Sequence, residues 1–335
     1  MYQIKESYLE NVRKTVSNMT LVVLGGNGSL GISLAYCLKY YNIMPVSIVV
    51  ISLNSDLDHS WFSIGCPIKH IRASETTTFT STFSSCIDRL SREYLLFYMA
   101  GYGQPNKFLT DPGGVVDANV TQLSSILSIN KRPRLLAYIS TAEIYSGIST
   151  EAFEDTPSIV GSDHMRAVYV RAKLLGEAIV TSWAQKYSVR AASYRVALAF
   201  PPKLIRGDTR VLGELLEGGL SRGSVILKGG SQLMRQYQFG PNALIQILSS
   251  LINGTSLIYN SAGDHHLSLG ELARLVSEAT FASLQILNTN SDQSSQSTMN
   301  VNFNRINTEA GVEPSSHRTL AYYIKEVVDA TNNAR

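Results

Sequence analysis

Residues 20–31 read TLVVLGGNGSLG, and the fold follows from that stretch. Thr20–Leu24 is a short apolar, β-branched run that stops at a glycine, the pattern of a strand buried in a parallel sheet. Gly25, Gly28 and Gly31 then spell GxxGxxG, and Leu30, Leu34, Ala35 and Leu38 recur at helical spacing through Tyr40. Val46–Leu53 supplies a second buried strand. Strand, glycine turn, helix and strand in this order predict a right-handed crossover and an α/β, doubly wound parallel sheet. In that context the glycines let the backbone turn tightly and approach a pyrophosphate, whose charge faces the helix N-terminus. Gly25, Gly28, Ser29, Leu30 and Gly31 are therefore candidate dinucleotide contacts.

In such a unit the second strand ends in an acid that holds the adenosine ribose diol. Ser52 stands at that place, and Asp56 lies four residues farther on. No arginine follows to grip a 2′-phosphate, so the sequence leaves NAD and NADP both open.

Further strands are expected at Leu95–Met99, Leu135–Ser140 and Arg190–Phe200, and helices at Val115–Ile129 and Val168–Gln185. This divides the 335 residues into an N-terminal extension (1–19), a dinucleotide-binding domain (20–200) and a smaller substrate lobe (201–335), with the chain crossing between lobes. Asn288–Thr298 is polar and low in complexity and reads as a surface loop. With 44% hydrophobic residues the chain has ample material for a core. A net charge of +3 with dispersed basic residues does not point to nucleic acid. Three cysteines without CxxC spacing suggest a reducing compartment. The first residues carry charges rather than an apolar signal segment, and no apolar stretch approaches a membrane span. A cytoplasmic protein is expected. The six histidines are scattered, and the adjacent His265-His266 read as a turn, so no metal site is expected.

Chemistry is expected where a central strand ends in Ser140-Thr141-Ala142-Glu143. Thr141 and Glu143 share a face if the strand continues. Tyr169 and Lys173, four apart on the following helix, share a face too. A phenol is a poor base near neutral pH; a neighbouring ammonium lowers its pKa and lets it take a proton from an alcohol. Thr141, Glu143, Tyr169 and Lys173 are the candidate catalytic residues.

In order and spacing these motifs resemble the extended short-chain dehydrogenase/reductase family, whose members are epimerases, dehydratases and decarboxylases of nucleotide sugars. The sequence is most similar to UDP-glucuronic acid decarboxylases (UDP-xylose synthase-like). FYMAGYGQP (97–105), Asn119, STAEIY (140–145), Asp208–Val211, Gly230–Gln232, Arg235–Tyr237, Asn260–Leu269 and Ala310–Pro314 carry the likeness. The resemblance implies a Rossmann fold and a Thr141/Tyr169/Lys173 redox triad, with Glu143 as an extra acid or base. It adds Ser52, Ala100, Gly101 and Asn119, with Tyr169 and Lys173, to the cofactor contacts, and gives Arg210, Arg235 and Gln104 to the substrate. Arg206, Arg210 and Arg235 are expected to form a small cationic floor for a diphosphate. The resemblance also implies tightly held NAD, transient oxidation at sugar C4, a role in surface polysaccharide or glycoconjugate synthesis, and a homodimer joined through a four-helix interface.

The chain departs from the family at Ser52, Ala73, Ala142, Ser146 and Asn242. Ala142 stands where the decarboxylases carry Ser and the 4,6-dehydratases carry Asp. With only Glu143 at hand, epimerisation or decarboxylation fits better than 4,6-dehydration. A non-catalytic dinucleotide-binding scaffold and a plain NADPH-dependent ketone reductase are the alternatives of other classes.

Overall fold

The computed structural model describes residues 1–53, 56–73, 79–101, 109–263, 265–287, 300–314 and 318–333. Gln104 and the Asn288–Thr298 segment lie outside the described residues.

Seven parallel strands form the main sheet: β1 (Thr20–Leu24), β2 (Ser47–Ser52), β3 (Ile68–Arg72), β4 (Tyr94–Tyr98), β5 (Leu135–Thr141), β7 (Arg190–Val196) and β11 (Ile258–Ser261). A two-residue β6 (Glu151–Ala152) pairs with β14 (Asn300–Val301) outside it. The sheet order is β11-β7-β5-β4-β1-β2-β3. The chain therefore runs outward from β1 to β3, then returns to lay β4 on the other flank of β1. That reversal opens a crevice at the carboxyl ends of β1 and β4, where open α/β sheets bind their ligands.

Every residue of β1 is buried because the sheet is covered on both faces. Leu21 and Val23 point into a core shared with helices α1 (Glu6–Val16), α2 (Ser29–Tyr40), α8 (Gly240–Asn253) and α10 (Asn304–Ala310). Val22 and Leu24 point into the opposite core, against α3 (Phe79–Asp88), α5 (Gln122–Leu127) and α6 (Ala167–Tyr187). Each such Leu or Val contributes about 1.5–3 kcal/mol by leaving water. Residues 1–19 enter the first core: Leu9, Val12 and Val16 of α1 are buried there. The Tyr2 amide donates to Asn242 Oδ1 at 3.0 Å, and Ile4 bridges to Val312.

Three expectations change. The helix expected over Val115–Ile129 is α4 (Pro112–Val116) and α5, joined by a π turn, Asp117–Thr121. The strand expected over Arg190–Phe200 divides: β7 ends at Val196, and β8 (Leu198–Phe200) leaves for a second sheet. No Gly or Pro marks that break, so the apolar run conceals it. His265 and His266 lie in β12 (His265–Ser268), not in a turn, because the segment pairs antiparallel with β10 (Met234–Phe239).

The second sheet, β12-β10-β8, packs with α7 (Val211–Arg222), α9 (Leu269–Thr280) and α11 (Leu320–Asn332). Leu212, Leu216, Leu272, Val276, Ile324 and Val327 form its core. A parallel pair, β9 (Ser224–Lys228) and β13 (Ser283–Leu287), lies alongside. A capping box of Ser268 and Glu271 starts α9. Between these elements α8 and β11 return to the main sheet.

Candidate active site

The glycine loop meets the end of β4 at the crevice. Gly25 has φ +84°, and a Cβ there would come within 2.9 Å of Met99 O. A Cβ on Gly31 would stand 2.1 Å from Gly26 O, so only glycine lets α2 start this close to its own loop. Ser29 opens α2, with Leu30 half-buried behind it and Gly28 as the N-cap. The buried Ser29 hydroxyl oxygen has no hydrogen-bond partner.

Across the crevice, Ala100 is buried and Gly101 has φ +141°. A Cβ on Gly101 would lie 3.2 Å from Asn119 Oδ1 and 3.7 Å from Lys173 Nζ. Asn119 sits in the π turn and is fully buried; its amide donates to Val115 O at 2.9 Å, while its Oδ1 has no partner. Such turns occur preferentially at functional sites. A close-approach glycine loop, the space kept at Gly101 and two orphaned buried oxygens fit a bound dinucleotide.

Thr141 ends β5, and a 3₁₀ turn, Ala142–Tyr145, follows. The strand does not continue, so this turn, not strand alternation, places Glu143. Thr141 Oγ1 caps it, accepting from the Glu143 amide at 3.2 Å. The Tyr169 hydroxyl hydrogen-bonds the Thr141 side chain. Burial raises the Tyr169 pKa to about 12, against the pull of Thr141, Arg166 and Arg210. The expected lowering by Lys173 is not what governs this phenol: Lys173 donates to Ile139 O at 2.7 Å, and burial brings its own pKa down to about 7. Glu177, one turn along, opposes that fall.

Glu143 is held by Arg166, with 2.6 Å between Oε1 and the guanidinium, and Ser146 donates to its Oε2 at 3.3 Å. Beneath the site lies a buried ion pair. Arg195 of β7 grips both oxygens of Glu177, at 2.8–3.2 Å. Ser140 also donates to Glu177, and Arg195 donates to Tyr145 O–H at 2.7 Å, which in turn donates to Asn260 Oδ1. One network thus ties α6, β5, the 3₁₀ turn and β11 together.

Thr141, Glu143, Tyr169 and Lys173 come together, Tyr169 and Lys173 by helical spacing and Glu143 by the 3₁₀ turn, and the effect of Arg210 on Tyr169 places that arginine in the same neighbourhood. The expected cationic floor is weaker than its formal charges. Arg210 is held bidentate by the buried Asp208, Arg206 is exposed, and Arg235 donates to its neighbour's carbonyl, Met234 O, at 2.8 Å. Ser52 lies at the far end of the crevice, its hydroxyl 2.9 Å from His70 Nε2 and 3.3 Å from the Asn27 amide. Ala73, also a departure point, is buried beside it at the end of β3.

Sequence reasoning missed Glu177, Arg195, Arg166, Asn27 and His70. Glu177 carried a signal, standing four residues after Lys173; Arg195 is a charge in an otherwise apolar strand; Arg166 precedes Tyr169 by three. Nothing in the sequence pairs Asn27 or His70 with Ser52.

Among solved structures, the chain is similar to an epimerase from Methanothermobacter thermautotrophicus (14% identity, TM-score 0.78), covering 96% of this chain and 94% of that one. It is also similar to a UDP-glucose 4-epimerase from Thermotoga maritima (17%, TM-score 0.77, 94% and 99% covered). At these identities the likeness concerns the fold. A UDP-glucuronic acid decarboxylase from Xenopus tropicalis is 21% identical over 255 residues, 71% of this chain but only 58% of that protein's length. No helix among the described residues is long and apolar enough to cross a membrane. The family model for the NAD dependent epimerase/dehydratase family matches residues 21–240, and the chain belongs to that family.

Proposed function

We infer that the protein is an NAD-dependent enzyme that remodels a nucleotide-diphosphate sugar through transient oxidation at C4. The observation that carries this reading is the meeting of Thr141, Tyr169 and Lys173 at the crevice with the glycine loop, in a chain of this family. Tyr169 takes the C4 hydroxyl proton, and Thr141 hydrogen-bonds the same oxygen. NAD⁺, when bound, accepts the hydride and brings positive charge that favours the phenolate. Gly25, Gly28, Ser29, Leu30 and Gly31 would hold its pyrophosphate, Ser52 its ribose end, and Ala100, Gly101, Asn119, Tyr169 and Lys173 its nicotinamide half. Arg210 and Arg235 would meet the sugar nucleotide's diphosphate, with Asp208 setting the pose of Arg210. Glu143, paired with Arg166, is the base or acid that acts on the keto sugar. With Ala142 next to it instead of a second acid, epimerisation or decarboxylation is the favoured outcome, feeding surface polysaccharide or glycoconjugate synthesis. The reading carries a homodimer with it: Val116, Val168 and Leu175 are exposed on α4 and α6, the helices expected to build a four-helix interface.

The test is incubation with UDP-glucuronate, UDP-glucose and dTDP-, CDP- and GDP-sugars in the presence of NAD⁺, read by mass spectrometry, with light scattering for a two-chain mass. Turnover of one of them is expected, falling about 10²–10⁴-fold in Tyr169→Phe. No turnover together with no bound dinucleotide would overturn the reading.

A further inference from the structure

Lys173 is buried, and burial works against its charge. Its Nζ gives one of its three N–H groups to Ile139 O at 2.7 Å. The carboxylate whose charge it feels is Glu177, and both Glu177 oxygens are gripped by Arg195. What lies against the ammonium instead is a ring. Lys173 Nζ stands over the face of Tyr138, 5.2 Å from the ring centroid. That face is the negative side of the ring quadrupole, and a cation within about 6 Å is drawn to it, most strongly where water is excluded.

The ring is held from two directions. Tyr138 lies in β5, fully buried, with Tyr98 of β4 beside it at 5.8 Å between centroids. Tyr98 in turn donates to Ala118 O of the π turn. Against Tyr138, α6 passes so close that a Cβ on Gly176 would stand 2.2 Å from the Tyr138 hydroxyl oxygen. That hydroxyl has no hydrogen-bond partner, although an orphaned buried hydroxyl is unfavourable. The ring, not the hydroxyl, is therefore what this position supplies. Burial raises the Tyr138 pKa well above its ordinary value, so the ring stays neutral and its face does not change with pH.

We propose that Tyr138 is a positioning residue of the site: its ring face holds the Lys173 ammonium charged and in place. This rests on the functional reading above, which sets Lys173 beside Tyr169 and the nicotinamide. Burial brings the lysine's pKa to about 7, so a tenfold change in its proton affinity decides whether it is mostly charged or mostly neutral near neutral pH. The titratable groups around the pair are Tyr98 on β4, Asp117 in the π turn, Glu143 in the 3₁₀ turn, Tyr169 and Glu177 on α6, and Arg195 on β7. All of them are kept in the variants that test the ring.

The test is an NMR titration of cofactor-free protein carrying isotope-labelled lysine, for wild type, Tyr138→Phe and Tyr138→Leu, with Lys173→Met identifying the Lys173 signal. In wild type this proton is expected to leave at a pH of about 7. Tyr138→Phe keeps the ring and the midpoint. Tyr138→Leu is expected to lower the proton affinity about tenfold, or about one pH unit. The sign separates this from a mere loss of packing, because water entering the space left by the ring would favour the charge and raise the midpoint. With the nucleotide sugar turned over in the assay above, the alkaline limb of the pH–rate profile, where Lys173 loses its proton, moves down in Tyr138→Leu and stays in Tyr138→Phe. A midpoint that rises or stays in Tyr138→Leu, or falls equally in Tyr138→Phe, overturns the inference, and so does an unmoved limb. Should Tyr138→Leu not fold, Tyr138→Met fills the space without a ring and gives the same comparison. The expected midpoints in a wild type that binds no NAD⁺ and turns over no nucleotide sugar overturn the functional reading, not the hold of the ring on the lysine.

Discussion

At the Tyr169 end of the crevice, the groups beneath the site are buried and paired in several directions: Glu177 takes Ser140 and Arg195, and Arg195 takes Glu177 and Tyr145. At the Ser52 end no buried ion pair of the described residues lies beneath the contacts, which join the ends of β2 and β3 to the glycine loop and the loop after β2: Asn27 to Ser52, Asp56 and Asp58, Ser52 to His70. The first construction fixes Thr141, Tyr169 and Lys173 to helix and strand, and in the proposed function small displacements there would cost rate. The second joins two strand ends to two loops by hydrogen bonds alone.

The largest effect that separates the two ends is expected from Glu177→Ala. It leaves Arg195 charged and buried without its partner, and urea unfolding should show a loss of about 3–5 kcal/mol. A loss below about 1 kcal/mol would place both ends in the same class. A smaller effect concerns Lys173, whose pKa falls from 10.5 in the unfolded chain to about 7 in the fold. Between those pH values the unfolded chain holds a proton that the folded protein has released, so this group's contribution makes stability rise with pH across that window. Wild-type stability minus that of Lys173→Met should therefore grow from pH 7 to pH 10 in parallel urea titrations; a flat difference would remove the buried-lysine account. The smallest effect is expected from Asn27→Ala, about 1 kcal/mol and a melting-temperature shift of about 2 °C. A loss as large as that of Glu177→Ala would show the Ser52 end to be as rigid as the other.

The two ends also differ in how far the sequence disclosed them. β1, the glycines and α2 follow from adjacent residues, as do Tyr169 and Lys173 at i and i+4, because helix and strand periodicity are local. Thr141 was legible as a strand end, but the turn that carries Glu143 was not, since nothing in Ala142–Tyr145 announces a 3₁₀ turn. Arg195 meets Glu177 only because β7 lies beside β5 under α6. No local pattern announces that Asn27, 29 residues before Asp56, holds both the Asp56 carbonyl and the Ser52 hydroxyl. The division of Arg190–Phe200 escaped notice because tertiary pairing with β10, not composition, parts β8 from β7.

The tie between Tyr2 and Asn242 also orders events in time. The partner of the second residue lies 240 positions later in the chain, and the bridge of Ile4 waits for Val312. As the chain leaves the ribosome, α1 can reach Tyr41 at the end of α2, but the apolar face that α8 lays against it has not yet been made. β11, the far edge of the sheet, is made later still. Long-range closures of this kind slow folding. The first nineteen residues are thus synthesised early and seated late, and a nascent chain stalled before Asn242 would carry Leu9, Val12 and Val16 uncovered, within reach of a chaperone.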